Sequence, residues 1–281
     1  MHAQAAQATI IKRVSGNLDA PGPGYERARL VLQRLLWPSV RHCGDTDVRC
    51  VMARGHNRLT VAHDKLKLAG PLKLGATLSE DLLLEYIDGL PREEVGWGRA
   101  ASPERLQQVL PLHVLYASLL RRTPELASAG GTPLAHLMLL LLEERPIAGA
   151  SPAGPPVPAS ARLIVLAGHD TNLSNVGSIL GLDWTLPGEP DSTAPDTTLA
   201  LELWRDGQGR KFVRALVLYQ TLSELRAEAM GAKAGAHGPP ARTYPLIFPG
   251  CTRSQCPIGI VRARIESQID PDCRTSFASH P

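Results

Sequence analysis

The hydrophobic periodicity of this chain changes character once, across a stretch at 148–160 rich in Ala, Gly, Pro and Ser (Gly-Ala-Ser-Pro-Ala-Gly-Pro-Pro-Val-Pro) that offers no face for packing. Before it the signals are helical. Tyr25 to Leu36 sets Leu32, Leu35 and Leu36 against Arg27, Arg29 and Arg34, an amphipathic helix. A charged, turn-rich stretch follows from Pro38 to about Lys67. Thr77-Leu-Ser-Glu80 is a capping box that predicts a helix from Thr77 to near Gly89. Ser102-Pro103-Glu104 starts another, Pro111 should kink it, and Thr132-Pro133 should open a Leu-rich helix to about Glu144. After the stretch the signals are those of strands. Leu163 to Leu166 reads as a buried strand, Leu199 to Trp204 alternates, Phe212 to Tyr219 is a third strand, and Asp206-Gly207-Gln208-Gly209 is a hairpin loop. Thr221-Leu-Ser-Glu224 repeats the capping box. The expected division is a mostly helical part at 1–147, a loop at 148–160 and an α/β part at 161–281.

One segment concentrates chemistry. The apolar run Leu163 to Leu166 stops at Ala167-Gly168 and delivers His169 and Asp170 to a helix expected over Thr171 to Leu180. In an α/β sheet, ligands bind beyond the carboxyl ends of the strands, so this pair should face a substrate. The first backbone N–H groups of a helix and the positive end of its dipole attract anions such as phosphate. Thr171 and Asn172, at the helix entry, are therefore candidate substrate-binding residues. The plainer alternative is that Asp170 or Thr171 only caps the helix.

Charge and cysteine content narrow the classes. Thirty Lys and Arg against 27 Asp and Glu leave a net charge of +3, without the basic block of a nucleic-acid-binding tail, so no nucleic-acid partner is expected. The longest apolar stretch, around Leu137 to Leu142, falls short of the ~20 residues of a membrane span, and no membrane partner is expected. The N-terminus has neither basic nor apolar signal-peptide regions. Of five cysteines, Cys43 and Cys50 bracket one polar loop and Cys251 and Cys256 another, with Cys273 left over. Close pairs in polar loops suit disulfides of an exported protein, with free structural thiols as the alternative. Metal-ligand spacing is not found, and His113 and His136 read as histidines of Leu-rich helices, so neither metal nor cofactor is expected.

Gly168-His-Asp-Thr-Asn-Leu173, followed by Leu182-Asp-Trp-Thr-Leu-Pro-Gly-Glu-Pro-Asp191, closely resembles the histidine acid phosphatases, specifically their bacterial phytase and glucose-1-phosphatase branch. Leu68-Ala-Gly-Pro-Leu-Lys-Leu74, Gly96-Trp-Gly-Arg99, Leu120-Arg-Arg-Thr-Pro-Glu125, Tyr219-Gln-Thr-Leu222 and the Gly250-Cys251 loop extend the resemblance over about residues 20 to 273. It implies a phosphoglycerate-mutase-like α/β domain, here with an incomplete sheet, and a mostly helical inserted domain. In that family a histidine in an Arg-His-Gly-x-Arg-x-Pro segment attacks phosphorus and arginines hold the phosphoryl oxygens. The His-Asp pair completes the site. By resemblance His169 is a phosphoryl ligand and Asp170 the proton donor to the departing alkoxide, a contribution of about 10²- to 10⁴-fold. A carboxyl group in that role must be partly desolvated or work in an acidic medium, which suits a periplasmic or secreted enzyme.

The Arg-His-Gly-x-Arg-x-Pro segment itself is absent from this sequence. Arg41-His42-Cys43-Gly44 and Arg54-Gly55-His56-Asn57-Arg58 approach its core, but neither has the full order nor follows an apolar strand. The expectation is an N-terminally truncated phosphatase acting on phosphomonoesters (inositol or sugar phosphates), lacking the nucleophile and inactive alone. The resemblance also leaves Cys273 unpaired, its usual partner lying in the missing part. Rival readings are a non-catalytic phosphate-binding or interaction fragment and a truncation product without a function of its own.

Overall fold

A computed structural model describes residues 2–40, 42, 44, 46–147, 156–229 and 241–274. In chain order its elements are α1 (His2–Arg13), α2 (Tyr25–Leu36), α3 (Val48–Arg54), β1 (Arg58–Ala62), β2 (Lys65–Ala69), α4 (Pro71–Ile87), α5 (Pro103–Val109), α6 (Pro111–Leu120), α7 (Pro124–Leu142), α8 (Asp170–Leu180), β3 (Thr198–Arg205), β4 (Lys211–Tyr219), α9 (Leu222–Ala229), β5 (Arg242–Leu246), β6 (Cys256–Pro257) and α10 (Ile258–Gln268). The chain forms two compact units. One comprises Met1–Thr123, Thr185–Thr197 and Leu218–Arg242; the other comprises Pro124–Trp184, Thr198–Val217 and Thr243–Pro281. These units follow the chain differently from the expected 1–147 and 161–281, because α7 groups with the second unit and two later segments return to the first.

The first unit is mostly helical. α2 has the predicted bounds and buries Tyr25, Ala28, Leu32, Leu35 and Leu36. Within the stretch expected as a charged loop, β1 and β2 pair antiparallel, Leu59 opposite Leu68, around a turn in which His63 and Asp64 both adopt positive φ. A two-residue turn of this handedness matches the twist of the strands, but His-Asp is not its usual Asn-Gly signature, and Arg58, Lys65 and Lys67 obscure the alternation. α4 starts at Pro71, six residues before the predicted Thr77. Its first turn is held by a distant group: Leu72 N–H donates to Asn57 Oδ1 at 2.8 Å, and Asn57 Nδ2 donates to Leu18 O and Tyr25 Oη. Gly70, with φ 111°, passes so close to His56 that a Cβ would lie 2.4 Å from its carbonyl oxygen. Thr77 accepts from Lys73 Nζ inside the helix. Ser102 caps α5, and Pro111 separates α5 from α6, as predicted. The predicted Thr221–Glu224 capping box forms, with Thr221 N–H donating to Glu224 Oε2 and Glu224 N–H to Thr221 Oγ1. From α9 the buried Arg226 guanidinium donates to Tyr86 O and Leu90 O, capping the carboxyl end of α4.

The second unit carries the sheet. β4 pairs with β3, with β5 and, antiparallel through Val213 and Cys256, with β6. The predicted strands at 199–204 and 212–219 are β3 and β4, joined by a turn closed by Asp206 N–H to Arg210 O. α7 corrects the predicted start at Thr132-Pro133, since it runs from Pro124 straight through Pro133. Proline removes one helical hydrogen bond, but packing of the preceding turns, which bury Ala127, Gly131 and Thr132, keeps the helix continuous. By length and composition α7 could cross a membrane. It packs instead against α8 and α10.

The Leu163–Leu166 strand is not observed. The segment lacks regular secondary structure, with Leu163 82% and Val165 79% exposed, because no neighbouring strand lies along it among the described residues. Cys251 and Cys256 form the predicted disulfide and Cys273 is free. Cys50 is disulfide-bonded, while its predicted partner Cys43 lies outside the described residues, as does most of the 148–160 loop.

Candidate active site

α8 begins where the exposed segment ends, and the predicted residues lie together at its N-terminus. His169 is the N-cap, extended at φ −122° and exposed, and Asp170, the first helical residue, is half-buried. Asn172 Oδ1 accepts from His169 N–H at 2.9 Å, which pins the entry to the helix. Asp170 Oδ1 accepts from Thr171 N–H at 2.6 Å and from Thr171 Oγ1 at 3.2 Å. The capping alternative and the site reading thus coexist: the entry is capped largely by Asn172, and the His169 imidazole remains exposed.

The rest of α8 is anchored tightly. Its buried face (Asn175, Val176, Ile179, Leu180) meets α7 where α7 carries Gly130 and Gly131. A Cβ on Gly131 would lie 2.8 Å from Ile179 Cδ1 and 2.9 Å from Asn175 Cβ, so glycine there lets the two helices approach. At the far end Gly181, with φ 68°, ends the helix, and Arg264 from α10 donates to Ile179 O and Ser178 O. The backbone dipole of α8 has its positive pole at His169 and Asp170, and the Arg264 guanidinium complements the negative pole at the carboxyl end.

The first unit holds a polar cluster that the sequence did not disclose. His113, predicted only as a histidine on a Leu-rich helix, is 2% exposed, and its Nδ1 lies 2.7 Å from Asp191 Oδ2. Its Nε2 is 3.8 Å from Glu80 Oε2. Asp191 Oδ1 accepts from Thr193 N–H and Oγ1. Two residues away, Glu189 is buried, its Oε1 accepting from Asp191 N–H while Oε2 has no hydrogen-bond partner among the described residues. Burial pushes the Glu189 carboxyl up to about 8, and the negative charge of Asp191 adds to this. The one sequence signal for this cluster is the Gly-Glu-Pro-Asp191 run, which carries family resemblance but no local pattern of a buried network.

Neither near-match to the nucleophile segment forms a comparable site. His42 is exposed, with Arg41 and Cys43 outside the described residues. His56 Nδ1 meets Asp19 Oδ2 at 2.6 Å on the surface, and Arg58 belongs to β1. His136 is a half-buried residue of α7.

Residues 91–218 match the family described as histidine phosphatase superfamily (branch 2), and the chain belongs to that family. Among its relatives is the phytase AppA of Escherichia coli, 37% identical over 223 residues that make up 77% of this chain and 50% of that protein. Another is the glucose-1-phosphatase of Providencia rettgeri, 26% identical over 66% of this chain and 42% of the relative. The chain therefore spans about half the length of the curated relatives it matches. Solved phytases superimpose on nearly all of it. That of Citrobacter braakii gives a TM-score of 0.83 at 28% identity, covering 98% of this chain and 68% of its own. The Hafnia alvei phytase in complex with myo-inositol hexakis sulphate gives 0.81 at 28% identity, covering 98% and 67%.

Proposed function

We propose that this chain carries the proton-donor half of a phytase-like histidine acid phosphatase that hydrolyses phosphomonoesters of inositol or of sugars. The observation that carries the reading is the His169–Asp170 pair at the amino end of α8, where the positive end of the helix dipole favours a phosphoryl group. In this reading His169 hydrogen-bonds the phosphoryl oxygens, while Thr171 and Asn172 line the place where the substrate sits. Asp170 donates a proton to the ester oxygen as the P–O bond breaks, then takes one from the water that attacks the phosphohistidine. An alkoxide leaves poorly without that proton. The inositol hexakis sulphate bound by the Hafnia alvei phytase supports a polyanionic inositol ester as the substrate class. The Cys251–Cys256 disulfide supports a periplasmic or secreted location.

The sequence holds no Arg-His-Gly-x-Arg-x-Pro segment, so the covalent step has no nucleophile in this chain and no arginine clamp. Purified chain at acid pH should leave p-nitrophenyl phosphate unhydrolysed. Robust turnover that Asp170→Asn abolishes would overturn the split-site reading. The positive end of the α8 dipole also favours simple phosphate binding, which predicts a rise in melting temperature with inorganic phosphate but no turnover.

A further inference from the structure

Lys73 is placed against the local electrostatics of its own helix. It stands in the first turn of α4, which holds no acidic residue, so its ammonium adds to the positive end of the helix dipole, whereas cations favour the negative end. No carboxylate lies within ion-pair distance of it among the described residues. Its partners are a hydroxyl and a ring: Nζ donates to Thr77 Oγ1 at 3.1 Å and lies 4.8 Å from the centroid of Tyr116, on α6.

A second cation meets the same ring. Arg121, just past the end of α6, brings Cζ to 6.0 Å from the Tyr116 centroid. The spacing of these side chains is fixed by close packing of α4 on α6, since a Cβ on Gly75 would lie 2.7 Å from Leu112 Cδ1. The ring attracts each cation, but the cations repel one another, and an anion bound beside them turns that repulsion into attraction. The ammonium spends one donor on Thr77 and has others left, and a guanidinium presents a planar fork suited to phosphoryl oxygens.

From this, and resting on the phosphatase reading above, we infer that Lys73 and Arg121, arranged around Tyr116, form a binding subsite for polyanionic esters. Its ligand carries anionic groups on neighbouring carbons, as inositol polyphosphates do, so that one group meets the ammonium and the next the guanidinium. A sugar monophosphate has one such group and cannot give each cation its own. The subsite therefore selects inositol polyphosphates over sugar monophosphates.

Titration calorimetry of the full chain with myo-inositol hexakis sulphate, the ligand of the Hafnia alvei phytase complex, tests the assignment. Lys73→Met and Arg121→Gln should each weaken binding about 10-fold, as loss of a charge-assisted hydrogen bond does, while Lys73→Arg retains it. Lys73→Met should melt at the temperature of the unaltered chain, because that side chain is exposed. Inorganic phosphate, titrated in parallel, should lose much less affinity in either variant. The inference is overturned if the unaltered chain does not bind the hexakis sulphate, if both variants bind it as tightly as the unaltered chain, or if inorganic phosphate loses as much affinity as the polyanion. A His169→Ala arm separates the two readings. Loss confined to His169→Ala overturns the subsite and leaves the phosphatase reading standing, whereas loss confined to Lys73→Met and Arg121→Gln upholds the subsite and counts against the role given to His169. Loss in all three supports both.

Discussion

Asp191 accepts the Nδ1 hydrogen bond of His113 across 78 residues of sequence, at 2.7 Å, in a place where both side chains are only 3% exposed. A buried pair of this kind is a poor net source of stability when intact but costly to break, because removal of one partner strands the other away from water. Asp191→Ala should therefore lower the unfolding free energy by about 3–5 kcal/mol. Urea denaturation at neutral pH measures it, and a loss below about 1 kcal/mol would show that His113 finds another partner.

Glu189 makes stability depend on pH in an unusual direction. Its carboxyl is pushed from 4.5 to about 8 by burial, which outweighs the lowering by the hydrogen bond from Asp191 N–H, so the folded chain holds a proton that the unfolded chain releases. Its contribution is complete below the unfolded value near 4.5 and is lost as pH rises through about 8. Thermal melts from pH 4 to 9 should show a decline between about pH 4.5 and 8, on the order of 1.4 kcal/mol for each pH unit, that levels off above 8. Glu189→Gln, which cannot ionise, should flatten that decline. An identical slope in both proteins would rule Glu189 out as its source.

The α7–α8 crossing tolerates no side chain at its closest point. Gly131→Val would press on Ile179 and Asn175, whose atoms already lie 2.8 and 2.9 Å from an added Cβ. Overpacking of this sort should destabilise by about 1–3 kcal/mol. Partial recovery in the double variant Gly131→Val, Ile179→Val, read from a double-mutant cycle, is expected; strict additivity would mean the strain lies elsewhere.

Asn57 caps α4 from outside the helix. Asn57→Ala strands Leu72 N–H and also removes bonds to Leu18 O and Tyr25 Oη, and should cost about 2 kcal/mol. Hydrogen exchange should locate the loss in the first turn of α4. Exchange accelerated at Thr77 alone would instead restore the local capping box as the start of that helix.

Features written in a few adjacent residues are legible in the amino-acid sequence. The bounds of α2, the Ser102 cap, the break at Pro111, the Thr221–Glu224 box, β3, β4 and the Cys251–Cys256 loop each depend on neighbours within a turn or two. The candidate site is legible for the same reason, as His169, Asp170, Thr171 and Asn172 are contiguous and their cap is local. Legibility fails where a partner is distant. The β1–β2 hairpin has an atypical turn, and the Glu189–Asp191–His113 cluster joins residues that no local pattern connects.

Local sequence is thus sufficient for the helices and strands that carry their own signals, and for the placement of the His169–Asp170 pair at a helix start, because backbone propensity, capping and periodicity act over a few residues. Long-range packing set the remainder. Asn57 drew the start of α4 back to Pro71, and contact with α8 carried α7 through Pro133. Leu163 to Leu166 was left without a sheet, because a strand exists only when another backbone takes its hydrogen bonds.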